Sequence, residues 1–190
     1  SPQAALAHHS PLDRHRQRHQ SHVRILICSE SLYEDESFPN RPIVALLLAK
    51  LYFYLNDYDE ALKYALRAPG EFDIKGAKDE FTDILVNKCI ERYIQSCQSE
   101  TKVEEHEQYK TVVDYVVENS LNSGEYKLPL GISLDTKDVV LFCKVFKVAE
   151  FNDFVENLLP HLNGLDLDFR SQILLKVIES VPSSCMSPAI

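Results

Sequence analysis

The stretch PIVALLLAKLYFYLNDYDEALKYALR, Pro42 to Arg67, decides the fold of this chain. Its first half, which ends at Leu55, is apolar at every position except the opening proline and Lys50. A helix that is hydrophobic on nearly all sides is one that neighbouring elements cover. The second half begins at Tyr58 with an amphipathic pattern, and the Asn56-Asp57 pair before it is a polar turn that suits two antiparallel helices. The stretch predicts a helical hairpin that needs further helices packed against it.

The start and the interior of the hairpin are predicted from residue type. Asn40 is expected to cap the first helix, with Pro42 in its first turn, where a missing N–H costs little. Small side chains at the helix contact and leucines beside them suit a close hairpin. The predicted structural core has six members: Leu47, Leu48, Leu51, Tyr58, Ala61 and Ala65.

The rest of the body repeats apolar residues at helical spacing. This pattern predicts helices at about 78–97, 109–121, 139–148, 151–162 and 168–181. The valines of the second of these segments leave a strand open there, because β-branched residues favour strands. Pro160 is expected to end the fourth helix early.

Residues 124–134 carry a different pattern. Apolar side chains alternate along the segment, at Tyr126, Leu128, Leu130 and Ile132. This alternation predicts extended structure, and Pro129 disfavours the interior of a helix. Asp135 and Thr136 then offer a cap for the helix that follows.

About seven or eight short helices with short loops predict an all-α fold, an irregular α-solenoid or stack of helical hairpins. The hairpin looks like the middle of a tetratricopeptide unit. Counting on by 34 residues, however, Tyr58 meets Arg92 and Ala61 meets Gln95, so it is one degenerate unit rather than a repeat array. The predicted organisation is a disordered His/Arg-rich tail at 1–24, a helical rod domain at 25–182 and a loose C-terminal tail at 183–190.

Composition excludes several classes of function. With 45% hydrophobic and 26% charged residues, the chain is typical of soluble globular proteins, and its longest apolar run is too short to span a membrane. The net charge is −9, and because residues 1–24 carry four arginines against one acid, the rest of the chain is more acidic still, which argues against a general nucleic-acid binder. Five widely spaced cysteines without a C-x-x-C pair favour free thiols in a reducing compartment. We expect no metal and no cofactor.

Two patterns suggest catalysis, and each has a simpler interpretation. His106-Glu107 resembles the start of a zinc-protease motif, but Lys110 stands where the second histidine is needed, so a charged linker is favoured. Cys143 with His161 suggests a thiol nucleophile, but Cys143 lies in an apolar helix, where burial makes a thiol inert. We expect no catalytic site.

Glu34, Asp35 and Glu36 form an acidic cluster ahead of the hairpin. Such a cluster suits a basic partner or the electrostatics of a helix end, and a solvated loop is the alternative. These three residues are the candidate partner contact.

The hairpin also belongs to a longer pattern. The runs LYEDESF at 32–38 and YDEALKYAL at 58–66 flank the apolar helix, and ILVNKCIERYIQ at 84–95 and EYKLPLGISLDT at 125–136 follow in order. This order resembles the N-terminal region of the largest non-ATPase subunits of the proteasome regulatory particle. Pro129 stands where that family has a helix, which leaves the structure of this segment open. The family's toroid of proteasome/cyclosome repeats is absent from this chain, so the resemblance implies a fragment.

The resemblance implies a non-catalytic scaffold that supports assembly of the particle and docks base ATPases, lid subunits and ubiquitin-processing factors. The implied process is ubiquitin-dependent protein degradation, in cytoplasm and nucleus, without nucleic acid or membrane. Two alternatives remain open. One is a stand-alone tetratricopeptide-like adaptor with a peptide groove lined by Asn56 and Lys63, and the other is a thiol enzyme or enzyme-regulatory domain that uses Cys143.

Overall fold

A computed structural model describes residues 24–68, 70–76, 79–99 and 105–180. Over these residues the chain forms nine α-helices and no strand. This confirms the all-α class, and the segment at 109–121 is a helix rather than a strand. The two predicted tails lie outside the described residues apart from Arg24, and the domain boundary at 25–182 stays a prediction.

The helices follow one another with short connections. They are α1 (residues 24–34), α2 (Arg41–Tyr54), α3 (Tyr58–Leu66), α4 (Glu80–Gln98), α5 (His106–Asn122), α6 (Lys127–Asp135), α7 (Val139–Val148), α8 (Phe151–Leu162) and α9 (Leu167–Ser180). The chain divides into two compact units between Lys88 and Cys89. Among the described residues, no helix has both the length and the apolar character needed to cross a membrane.

The predicted hairpin is confirmed as α2 and α3. Asn40 occupies the N-cap position of α2 with Pro42 in the first turn, although the Asn40 side chain makes no capping hydrogen bond. Asn56 adopts a left-handed conformation with φ 61°, which reverses the chain between the helices. The Asp57 carboxylate then accepts a hydrogen bond from the Glu60 amide at 3.2 Å and begins α3.

Small residues let the two helices of the hairpin approach closely. Of the six predicted core residues, Leu48, Ala61 and Ala65 are buried, while Leu51 and Tyr58 are half-buried. The residues buried around them are Val44, Ala45, Ala49, Leu62, Ala68 and Leu85. Alanine carries no side chain beyond Cβ, so the leucines of one helix pack against the backbone of the other.

The prediction that Leu47 belongs to the core is wrong. Its side chain is 45% exposed, whereas its neighbour Leu48 is 0% exposed. Successive helical residues point about 100° apart, so the two leucines face different directions. Because α2 is apolar on nearly all sides, its sequence does not indicate which face packs inward.

Aromatic rings join the other elements of the first unit to the hairpin. Tyr64 of α3 stacks on Tyr52 of α2 at 5.6 Å and meets the edge of Tyr33 from α1 at 5.4 Å. Phe53 meets Phe81 at the start of α4 edge-on, with centroids 5.2 Å apart. Stacked and edge-to-face pairs at these separations add to simple burial, so they help to fix α1 and the start of α4 against the hairpin.

The second unit has a larger core. Phe154 of α8 lies at its centre, with the ring of Phe142 at 5.5 Å and that of Phe146 at 5.0 Å, both from α7. The cluster draws on α6, α7, α8 and α9 and contains Tyr126, Leu130, Leu134, Phe142, Val145, Phe154, Leu158, Phe169 and Ile173. Four helices therefore share one hydrophobic interior.

The prediction of extended structure at 124–134 is wrong, because α6 covers most of this segment. Pro129 is the third residue of α6, where the N–H that proline lacks has no partner within the helix. This short helix is buried on several sides, and its buried residues include Leu130, Ile132 and Leu134. Apolar residues therefore occur at alternate positions as well as at helical spacing. Helices at such positions lack a clear polar face.

Two predicted helix ends also need correction. Asp135 and Thr136 end α6, and the cap of α7 is Asp138, whose carboxylate accepts hydrogen bonds from the amides of Val140 and Leu141 at 2.8 and 2.9 Å. Pro160 does not end α8, which runs on to Leu162. The hydrogen bond that Pro160 cannot donate would reach the carbonyl of an exposed residue, Glu156, which water can satisfy.

Candidate interaction surfaces

The acidic cluster Glu34, Asp35 and Glu36 lies at the junction of α1 and α2, and all three residues are exposed. Asp35 accepts hydrogen bonds from the Ser37 hydroxyl at 2.6 Å and the Ser37 amide at 2.9 Å. These bonds, the hydroxyl first, lower the pKa of Asp35, so its charge is held in place by the turn. The cluster therefore occupies the last residue of α1 and the turn that follows it, exposed to solvent.

Arg41 adjoins this cluster, and sequence reasoning missed it. Its Nε donates a hydrogen bond to the carbonyl of Tyr33 at 2.9 Å, and its guanidinium lies 5.0 Å from the centre of the Tyr33 ring. A cation at the last carbonyls of a helix is favourable, so Arg41 stabilises the end of α1. A signal was present in the sequence, since Arg41 stands five positions beyond the last acid of the cluster and can reach back across the turn.

A second exposed surface runs along α2. Ile43, Leu47 and Tyr54 are 54%, 45% and 77% exposed, and they share one side of the helix with Lys50. Their spacing of four, three and four residues places all four on one stripe. The apolar sequence of α2 predicts a helix that is covered on all sides, so this exposed stripe was not predicted.

A groove lies between α5 and α7 in the second unit, with a volume of about 760 Å³. Val113, Val117 and Leu121 of α5 line it at every helical turn, and Ile132 of α6 contributes to its floor. Val140 of α7 stands at its margin and is 68% exposed. The sequence showed the periodic residues of α5 but not the helix that faces them.

The rims of the groove carry opposite charges. Asp114 and Glu118 of α5 line one side, and Lys144 and Lys147 of α7 line the other. Lys110 lies 3.6 Å from Asp114 and offsets part of its charge. We call this site the α5/α7 groove.

The residues considered for catalysis are not arranged as a site. Cys143 is half-buried in α7 and His161 is exposed in α8, and no hydrogen bond joins them within the described part of the chain. His106 packs on the ring of Tyr93 at 5.4 Å, with its Nδ1 2.8 Å from the Ser96 hydroxyl. In the portion of the chain that the structure covers, no group of three or more His, Cys, Asp or Glu residues could hold a metal ion.

The residues suggested for a tetratricopeptide-like peptide groove have local partners instead. The Asn56 side-chain oxygen accepts a hydrogen bond from the Tyr58 hydroxyl at 3.2 Å within the turn. Lys63 forms a salt bridge with Glu60 at 2.8 Å on the same helix. Neither contact indicates a shared peptide-binding surface.

One family of known proteins matches nearly the whole chain. The family model described as 26S proteasome subunit RPN2, N-terminal domain, matches residues 25–187. This chain belongs to that family. The resemblance found at residues 31–136 is thereby confirmed, and the RPN2 N-terminal match continues well beyond the motifs that suggested it.

Several RPN2 relatives align with the chain. It is 36% identical over 114 residues to the 26S proteasome regulatory subunit RPN2 of Saccharomyces cerevisiae, which covers 56% of this chain and 12% of the relative. It is 28% identical over 158 residues to the 26S proteasome regulatory subunit rpn2 of Schizosaccharomyces pombe, and this alignment covers 80% of this chain and 16% of the relative. The 26S proteasome non-ATPase regulatory subunit 1 of Drosophila melanogaster is 30% identical over 120 residues, and this alignment covers 60% of this chain and 12% of the relative. The chain thus spans 12 to 16% of the length of these relatives.

Proposed function

We propose that this chain is the N-terminal part of a non-catalytic scaffold subunit of the proteasome regulatory particle. The observation that carries the proposal is the RPN2 N-terminal match over residues 25–187. The names of the relatives add support, since each is called a regulatory subunit of the 26S proteasome. The scaffold works by presenting side chains at fixed positions on packed helices.

The exposed surfaces support a role in binding rather than catalysis. The acidic cluster at Glu34–Glu36 and the stripe on α2 present charge and apolar area to solvent. Exposed apolar patches of this kind mark surfaces where other proteins bind. The proposed partners are base ATPases, lid subunits and ubiquitin-processing factors. The proposed setting is ubiquitin-dependent degradation in cytoplasm and nucleus.

Sedimentation of a native extract tests membership in the particle. The extract would be separated on a glycerol gradient, with the protein detected by antibody and proteasome peptidase activity measured in each fraction. The scaffold role predicts that the protein sediments together with the peptidase activity. A protein found only at the top of the gradient, among free subunits, would contradict the role.

The acidic cluster is proposed to contact a basic surface of a partner subunit. Replacing Glu34 and Glu36 together by lysine should reduce the partner subunits recovered with the protein about three- to tenfold, because each exposed ion pair contributes up to about 1 kcal/mol. Glu107→Lys is the matched control, since Glu107 is also exposed but lies in α5. Equal recovery with the double variant and the control would contradict this contact.

A further inference from the structure

The α5/α7 groove has the dimensions of a helix-binding site. Its α5 wall runs from Lys110 to Asn122, which is about 18 Å at a rise of about 1.5 Å per residue. Its α7 wall runs from Val140 to Val148, or about 12 Å on the same scale. Two helical walls with an apolar floor between them accept the ridge of side chains of a third helix.

The apolar margin of the groove is left uncovered by this chain. Val140 and Val148 of α7 are 68% and 45% exposed, and both line the groove. The valines at 113 and 117 lie deeper and are buried against the rest of the unit. When a partner covers apolar side chains at the edge of an open groove, it removes them from water, and this burial stabilises the complex.

The charges of the rims specify what the partner carries. On the α5 side the acids are Asp114 and Glu118, and on the α7 side the bases are Lys144 and Lys147. Asp138 also lines the groove, but its carboxylate is engaged in capping α7. A complementary helix has basic residues along the side that meets α5 and acidic residues along the side that meets α7.

We propose that the α5/α7 groove binds an amphipathic helix of a partner protein, about 12 residues long, whose apolar stripe separates a basic flank from an acidic flank. Because reversing a given helix in the groove would exchange its two flanks and place like charges opposite each other, the charges of the rims fix the direction in which that helix lies. The proposal rests on the proposed scaffold function in one respect, namely that the helix comes from a partner protein in the same complex. The groove itself requires only the described geometry.

A peptide experiment tests the groove without the complex. Two fluorescent, stapled 14-residue helices would share one apolar stripe and one composition of Lys and Glu. In the sorted peptide all lysines flank one side of the stripe and all glutamates the other, while in the mixed peptide both charges occur on both sides. Fluorescence anisotropy would measure the binding of each peptide to the full chain. We expect the sorted peptide to bind about fivefold more tightly or better, given the strength of exposed ion pairs.

Three variants locate the binding. Val140→Asp should weaken binding of the sorted peptide at least tenfold, and it should fold normally, because Val140 is exposed in the first turn of α7, where an acid is favourable. Leu175→Asp, a similarly exposed leucine on α9, should leave binding unchanged. The double variant Glu118→Lys with Lys144→Glu should remove the preference for sorted charges.

Failure to bind either peptide at millimolar concentration would overturn the proposal. Equal affinity for both peptides would also overturn it, as would full binding by Val140→Asp. None of these outcomes bears on sedimentation with the proteasome, and loss of that sedimentation does not alter peptide binding. The two proposals therefore fail separately.

Discussion

At the scale of single residues, two glycines of the second unit have opposite roles. Gly131 lies inside α6, and a Cβ built there meets nothing within 4 Å. Gly124 ends α5 with φ +77°, a left-handed conformation that strains any residue with a side chain. The first glycine is a conformational cost to the helix, and the second is required by the turn.

We therefore expect Gly131→Ala to stabilise the protein by about 0.5 to 1 kcal/mol, because alanine favours the helix and restricts the unfolded chain. Gly124→Ala should destabilise it by about 1 kcal/mol, because alanine resists the positive φ. Urea denaturation of both variants measures these effects. Destabilisation by Gly131→Ala would contradict the helical assignment of this segment.

Tyr126 gives the second unit a dependence on alkaline pH. The side chain of Tyr126 is largely buried, and its hydroxyl donates a hydrogen bond to the carboxylate of the exposed residue Asp153 and accepts one from Asn157 Nδ2 at 3.0 Å. Burial, followed by the bond to Asp153, raises the pKa of Tyr126 to about 12. Because the folded state holds the phenol proton more tightly, its contribution is complete below the unfolded pKa of about 10 and is lost between about pH 10 and 12.

Tyr126→Phe should lower the free energy of unfolding at pH 8 by about 1 kcal/mol, the usual net worth of a hydrogen bond. The decline in stability above pH 10 should also become shallower in this variant. It should not vanish, because the pKa values of Tyr52, Tyr64 and Tyr93 are raised as well, mainly by burial. Urea denaturation at pH 8 and pH 11 measures the free energy of unfolding of the two proteins. An equal loss of this free energy between the two pH values in both proteins would contradict the contribution of Tyr126.

Individual residues also mark the limit of prediction from sequence. Pro129 argues against a helix because proline breaks helix interiors. It is nevertheless accommodated in α6, because it lies in the first turn of that helix. That position depends on where the preceding turn at Gly124 ends. Asp138, which caps α7, is the same residue type as the predicted cap Asp135, and only the position at which α7 begins distinguishes the two.

At the scale of elements, the hairpin of α2 and α3 is the part that sequence predicted best. The Asn-Asp turn and the small residues of α3 have local causes, so a single pattern indicates them. The inward face of α2 has no local cause, because every face of the helix is apolar. Packing against α1, α3 and α4 selects that face, and Leu47 was assigned to the core for this reason.

Adjacent leucines of α2 provide a matched test. Leu48→Asp should unfold the first unit, because burying an unpaired charge costs several kcal/mol or more. This cost is about as large as the whole free energy of unfolding of a small folded unit. Leu47→Asp should change the free energy of unfolding by about 0.5 kcal/mol or less, as is usual for surface substitutions. Thermal unfolding followed by circular dichroism distinguishes them. Similar melting curves for the two variants would contradict the assigned orientation of α2.

At the scale of the whole molecule, the sequence established the all-α class and the family. Both depend on features that add up along the chain, such as helical periodicity and the order of four motifs. The α5/α7 groove was not predicted, because its walls lie about 20 residues apart and α6 separates them. A surface built from two helices is determined by packing, which no local pattern contains.

We propose that this chain belongs to a scaffold subunit of the proteasome regulatory particle. Affinity isolation tests it most directly, with the protein tagged at its natural locus and recovered at about 0.15 M salt, where specific contacts persist although exposed charges are screened. Quantitative mass spectrometry would compare the recovered proteins with those from untagged cells. We expect strong enrichment of the base ATPases and lid subunits with the tagged protein. Recovery of these subunits at the level of the untagged control would contradict it.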